Sequence, residues 1–127
     1  MILMNCASRT VFNLENTTHI QIDSRKIHLL SKRELLVPQE YLESIVTQLY
    51  KILVKMPHIF VLPSFLFNMD HVEHISYQGS SRHNDENAMI RFTNGNMMLM
   101  LPKDVAAFHQ LVEGKASPAT PNIIRPG

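Results

Sequence analysis

The chain has 127 residues, 45% of them hydrophobic and 18% charged, with four Gly and seven Pro. That describes a globular chain of single-domain size and excludes collagen, coiled coil and wholesale disorder. Twelve Lys+Arg against eleven Asp+Glu leave a net charge of +1, and there is one cysteine, Cys6. The balance is too even for a chain that holds nucleic acid by bulk charge, and a lone thiol excludes an internal disulfide and any multi-thiolate metal site.

The strongest apolar run, Ile59 to Phe67, is broken by Pro63 and Ser64, so no membrane insertion is expected. Met1-Ile-Leu-Met-Asn-Cys6 lacks a basic stretch followed by a long apolar one, which predicts a cytoplasmic protein. Most of the basic excess of the first half sits in Arg25-Lys26-Ile-His28-Leu-Leu-Ser-Lys32-Arg33.

In chain order, Phe12, Leu14, His19-Ile20 and Ile22 lie on short extended runs rich in β-branched residues, which read as strands. Pro38 suits the first turn of a helix. Leu42, Ile45, Val46, Leu49 and Leu53 then recur at three- and four-residue steps, predicting a helix over 39–55 that Pro57 closes. Ile59-Phe-Val-Leu is a short apolar strand, and Phe65, Phe67 and Met69 alternate with Leu66 and Asn68. Ile90 to Leu101 is a hairpin whose Asn94-Gly95 suits a type I′ turn. A short helix over about 102–112 starts at Pro102, with Val105, Phe108, Leu111 and Val112 inward and Gly114 just beyond its end. The domain is thus expected over 1–113, followed by a Pro-containing flexible tail over 114–127.

These elements echo one another. Val11-Phe-Asn13-Leu-Glu15 followed by His19-Ile20 returns as Leu66-Phe-Asn68-Met-Asp70 followed by His74-Ile75. Ile27-His-Leu-Leu leading to Val37-Pro38 returns as Ile90-Arg-Phe-Thr leading to Leu101-Pro102. Each copy reads strand, turn, strand, turn, strand, helix, with an insertion in the second between Gln78 and Asn87.

Catalytic signatures are missing. His71 and His74, three apart on a predicted strand, point to opposite faces, and His19 and His74 have no convergent ligand nearby in sequence, so no metal is expected. Cys6 has no motif around it. Gly79-Ser80-Ser81-Arg82-His83, with Asp85 and Glu86 after it, reads as a polar loop without the strand–turn–helix setting of a nucleophile elbow. No Gly-rich phosphate loop is present. The chain is expected to be neither an enzyme nor a cofactor binder.

The stretch Leu42 to Leu49, then Met56-Pro-His-Ile-Phe-Val-Leu-Pro-Ser64-Phe-Leu-Phe-Asn68-Met-Asp70-His-Val-Glu-His-Ile75, resembles the central signature of LytTR DNA-binding domains of bacteria and phage. In that family a helix with spaced leucines precedes a strand ending in Ser-Tyr/Phe-Leu-Val-Asn-Leu-Asp-His-Ile. The hairpin Ile90–Leu101 is similar to the family's next hairpin, and Asn13-Leu14-Glu15 to His19-Ile20 to its opening strand. The resemblance spans about residues 10–112. It implies a mostly β (α+β) fold of short antiparallel sheets and a transcription regulator that binds double-stranded DNA through loops entering successive major grooves. Carried over by position, the DNA-binding residues are Arg25 and Lys26, in the turn that also holds Ser24, together with Ser64 and Lys103. Arg25, Lys26 and Lys103 can pair with phosphate, and arginine can also address guanine edges.

The departures point elsewhere. Where the family carries basic or hydrogen-bonding residues just before Ser64, this chain has Val61-Leu62-Pro63. The alternative reading is a LytTR-like fold that no longer binds DNA and acts as a protein- or small-ligand-binding inhibitor or accessory module. Met97-Met98-Met100 would then supply an adaptable contact surface. With no receiver domain in the sequence, control is expected from a partner protein, a ligand or expression level, and palindromic or repeated targets would imply a homodimer on DNA.

Overall fold

A computed structural model of the chain describes residues 2–79 and 85–115. In order, its elements are β1 (Leu3–Ala7), β2 (Thr10–Asn13), β3 (Thr17–Gln21), β4 (Lys26–Leu29), β5 (Glu34–Leu36), α1 (Leu42–Ile52), β6 (Ile59–Val61), β7 (Phe65–Asn68), β8 (Val72–Gln78), β9 (Asn87–Phe92), β10 (Met97–Met100) and α2 (Pro102–Lys115). The strands make three antiparallel sheets, ordered β1-β2, β5-β4-β3-β7-β6 and β10-β9-β8. The fold is mostly β, of the α+β class.

The expected helix over 39–55 is α1 flanked by 3₁₀ turns at Gln39–Tyr41 and Leu53–Lys55, with Pro38 capping the first turn from outside it. Its apolar stripe buries Ile45 and Leu49. Helix α2 begins at Pro102 as expected but runs past Gly114 to Lys115. The expected tail beyond residue 115 and the loop 80–84 lie outside the described residues.

The internal echo is a structural repeat, with five strands in each copy where the sequence pattern predicts three. Strands β1 to β5 with α1 correspond one by one to β6 to β10 with α2. In each copy an asparagine, Asn13 or Asn68, caps a 3₁₀ turn by accepting the N–H of Glu15 (3.1 Å) or Asp70 (2.9 Å). Leu14 N–H donates to the Ile2 carbonyl and Met69 N–H to that of His58, both at 2.8 Å. Bulges fall at Thr17/His19 and at Val72/His74. Equivalent positions are offset by 55 residues at Asn13/Asn68 and by 63 at Ile27/Ile90. The eight extra residues enter at the β8–β9 hairpin, where the insertion was expected.

The closing hairpins of the two copies are also the same object. Lys32 N–H donates to Leu29 and Gly95 N–H to Phe92, each at 2.9 Å; Leu29 N–H donates to Arg33 and Phe92 N–H to Asn96. Gly95 has φ +92° and Lys32 φ +72°, whereas Asn94 is not in the left-handed region. The Asn94-Gly95 turn is therefore not type I′. It is a three-residue loop, a type I turn closed by a left-handed residue, as at Lys32; the Asn94 side chain accepts Asn96 N–H at 2.9 Å and donates to the Leu29 and Leu30 carbonyls at 3.3 and 3.1 Å. A lysine in the left-handed region is strained where glycine is not. Lys32→Gly should stabilise the fold by about 0.5–1 kcal/mol, and Gly95→Ala should destabilise it by about 1 kcal/mol or more. Urea midpoints of the two variants check both signs.

Two hydrophobic cores result. The first gathers Leu14, Ile20, Ile27, Val37, Ile45 and Leu49; the second gathers Phe60, Phe67, Ile90, Phe92, Met100 and Phe108. Strand β7 serves both, giving Leu66 to the first and Phe65 and Phe67 to the second. Every residue of Phe65–Asn68 is consequently buried. The alternation of β7 separates two cores rather than a core from water, which a period-two pattern cannot distinguish when both faces are apolar.

Candidate nucleic-acid interface

Three distant segments meet at one end of the five-stranded sheet. Gln21 pairs with Phe65, so the β3–β4 turn over 22–25 lies beside the β6–β7 turn. That second turn is tight, with Leu62 N–H donating to the Phe65 carbonyl at 2.8 Å. Ser64 N–H then donates to Asp104 Oδ1 at 2.9 Å, while Leu101 N–H donates to Asp104 Oδ2 at 3.1 Å. The Asp104 carboxylate, fully buried at 0% exposure, thus ties the β6–β7 turn to the start of α2 and places Lys103 next to Ser64. An acid at the third helical position reaching back to the N–H before the helix is half of a capping box. The pattern Leu-Pro-Lys-Asp104 was readable as such, but without Ser or Thr at the cap it was overlooked.

Arg25, Lys26, Ser64 and Lys103 therefore share one end of the molecule. Their side chains are not equally available. Arg25 has φ +57° and donates through its guanidinium to the Val37 carbonyl at 3.0 Å, while Val37 N–H donates back to the Arg25 carbonyl at 2.8 Å. The arginine is half-buried and locks the turn to the exit of β5. Lys26 stands 3.8 Å from Glu34. Lys103 is exposed and Ser64 half-buried. In the turn before Ser64, Val61 and Pro63 are exposed and Leu62 is buried, so that tip carries no charge.

The basic segment 25–33 does not form one patch. Arg25 and Lys26 lie at this end, whereas Lys32 and Arg33 sit in the β4–β5 turn, a strand length away, where Lys32 lines the space beside Gly95. Strand β4 alone separates them by roughly 13 Å at about 3.3 Å per residue. Spacing in sequence placed these cations together, and the hairpin separates them.

His19, His28, His71 and His74 each have a partner within the fold. His19 is buried and sandwiched between His28 (centroids 4.1 Å apart) and Phe92 (5.1 Å), with the three rings nearly parallel. The Thr18 hydroxyl donates to the His28 carbonyl at 3.2 Å and lies 2.9 Å from His19 Nδ1. Burial, reinforced by the His28 ring, pushes His19 down to a pKa of about 3. His28, hydrogen-bonded to Gln21 at 2.6 Å, is also lowered by burial; the Glu34 carboxylate 3.6 Å away opposes the shift and Lys26 adds to it. This stack was missed in sequence because His19 and Phe92 belong to different repeats. His71 lies in a 3₁₀ turn, not on the predicted strand, and its Nε2–H donates to the Glu15 carbonyl. His74, on β8, is exposed 3.1 Å from Glu73. Among the described residues no three of His, Cys, Asp and Glu lie together as metal ligands would. Cys6 is buried, and burial raises its thiol pKa. Of the methionines, Met97 is exposed, Met98 half-buried and Met100 fully buried, so the expected cluster reduces to an edge. Among the described residues no helix is long and apolar enough to cross a membrane.

Comparison with protein-family models, with curated proteins and with solved structures finds no match to this chain.

Proposed function

We propose that the chain is a sequence-specific regulator of the LytTR type that binds double-stranded DNA through the end carrying Arg25, Lys26, Ser64 and Lys103. One observation carries this reading: three loops about 40 residues apart in sequence, those to which the resemblance assigns DNA contact, converge on one end. An exposed lysine there meets phosphate at little desolvation cost, and neighbouring loops on one end can reach successive turns of a groove. Arg25 acts first by shaping its turn, so Lys103 is the cleaner probe.

The test is a titration of the chain against pooled genomic duplexes at two salt concentrations, with the bound fraction sequenced. Salt-sensitive binding that enriches a common site is the expected result. Lys103→Ala should reduce the salt slope by about one while leaving the thermal midpoint unchanged. Arg25→Ala should weaken binding as well and also lower stability by about 1 kcal/mol, because it deletes the hydrogen bond to Val37. Absence of binding at either salt would overturn the regulator.

One observation favours a second reading, in which the domain is a protein- or small-ligand-binding inhibitor or accessory module. The Val61-Leu62-Pro63 segment before Ser64 exposes only the apolar Val61 and Pro63 where a DNA contact would need a donor or a charge. The same titration separates the two, since this reading predicts no salt-dependent binding to any duplex.

A further inference from the structure

The two repeats meet through a strand pair that only one of them completes. Strand β3 of the first repeat adds to the free edge of β7 in the second, with His19 opposite Phe67, Ile20 opposite Leu66 and Gln21 opposite Phe65. The contact is sealed by the His19–Phe92 stack and by Asn96 Nδ2 donating to Thr18 at 3.5 Å. The repeat correspondence makes β2 the counterpart of β7 and β8 the counterpart of β3. Neither is used in this way: β2 pairs with β1 alone and β8 with β9 alone among the described residues.

The unused half is visibly open. Leu66 is 2% exposed inside the first core, whereas its counterpart Val11 is 53% exposed. Beside β2 runs a groove of about 630 Å³, walled by Val11, Phe12, Leu29, Leu30 and Leu35 with Arg33 at its rim. The counterparts of Val11, Phe12 and Leu29 in the second repeat, Leu66, Phe67 and Phe92, are the residues that β3 pairs with or stacks on. The unused strand is equally open, because Glu73, His74, Ser76, Tyr77 and Gln78 of β8 are all exposed.

We propose that the occupant of the β2 groove is β8 of a second copy of this chain, paired antiparallel in the register of the internal contact, with His74 opposite Phe12, Ile75 opposite Val11 and Ser76 opposite Thr10. An exposed edge strand is a template for such addition. Strand β3 shows that the donor need not leave its own sheet, since it stays paired to β4 while adding to β7. The chain's own β8 is held away from its own β2. Val72 and Ile75 are packed against the second core, and Asn94 pins the second hairpin to the first at Leu29 and Leu30. Closing the groove within one chain would break those contacts, whereas a second copy can supply β8 while that strand stays paired to its own β9. Each chain offers one donor and one acceptor, so the contact either closes reciprocally as a dimer or continues head to tail. This inference does not depend on DNA binding.

The experiment uses the full chain carrying Cys6→Ser, with Thr10→Cys in one preparation and Ser76→Cys in another. Directly opposed strand positions lie within disulfide reach. The expected result is a disulfide-linked species of twice the chain mass when the two preparations are mixed and oxidised, lost when Val11→Asp is added to the Thr10→Cys chain. Light scattering of the unmodified chain should show its mass rising with concentration in multiples of 14.6 kDa. A chain that stays monomeric at every concentration and forms no mixed disulfide overturns the proposal. So does a chain carrying both cysteines that closes its disulfide within itself, since its own β8 would then fill the groove.

Discussion

Replacing Asp104 by alanine should cost about 3 kcal/mol or more and should loosen the end of the molecule assigned to DNA. The carboxylate is fully buried and accepts two backbone N–H groups, from Ser64 and Leu101. Each bond to a charged acceptor contributes about 1.5–3 kcal/mol, and its loss leaves a backbone donor without its acceptor. Asp104→Asn keeps one acceptor oxygen and turns an amide N–H₂ toward the other donor, so its stability should fall between wild type and alanine. Denaturant titration of the three proteins checks that order. In the DNA titration, Asp104→Ala should lose affinity even though it removes a negative charge from the end proposed to bind DNA, because the Ser64 turn and Lys103 no longer hold their spacing. Tighter binding would mean that the charge matters more than the clamp.

Acidification should destabilise the protein through the ring stack. A histidine held near a pKa of 3 in the fold returns to about 6.5 when unfolded. Above pH 6.5 it is neutral in both states and the packing of the stack counts in full. As pH falls below 6.5 the unfolded chain takes up a proton that the folded one refuses, so stability is lost progressively until the folded pKa is reached. Between pH 7 and pH 4 this amounts to about 3 kcal/mol. Burial lowers His28 as well, with Glu34 opposing and Lys26 adding to that shift, so His28 contributes in the same direction while the deeper shift of His19 carries most of the effect. His19→Phe preserves an aromatic between His28 and Phe92 and should flatten the pH profile over that range. Urea midpoints at pH 7, 5.5 and 4 for both proteins decide it, and parallel profiles would remove His19 as the cause.

Local chemistry alone made much of the fold legible. The stripe from Leu42 to Leu53 announced α1, Pro102 announced α2, and the run Ile90–Leu101 announced its hairpin, because each depends on residues within a few positions of one another. The repeat was readable for the same reason: both copies needed an asparagine to cap a 3₁₀ turn and a bulge before the same histidine. The turn at Asn94-Gly95 differs from the type I′ expectation because the hairpin closes over three residues, Thr93 to Gly95, and a dipeptide rule does not fix the loop length. The candidate site was half legible. Arg25, Lys26, Ser64 and Lys103 could be named, yet nothing local showed that Asp104 clamps two of their loops together or that Arg25 is committed to Val37.

The sequence by itself determined the mostly β class, both helices and an echo between the two halves, though with three strands per copy where the structure has five, since periodicity, turn chemistry and capping act over a few residues. Tertiary structure decided the rest: which loops share an end, why β7 is buried on both faces, and which half of the repeat interface is filled. The physical reason is that two copies with nearly the same local pattern offer nearly the same edges. Only the packing of one core against the other, through Leu66 in the first and the His19–Phe92 stack across both, determines that β3 meets β7 while β2 and β8 stay open.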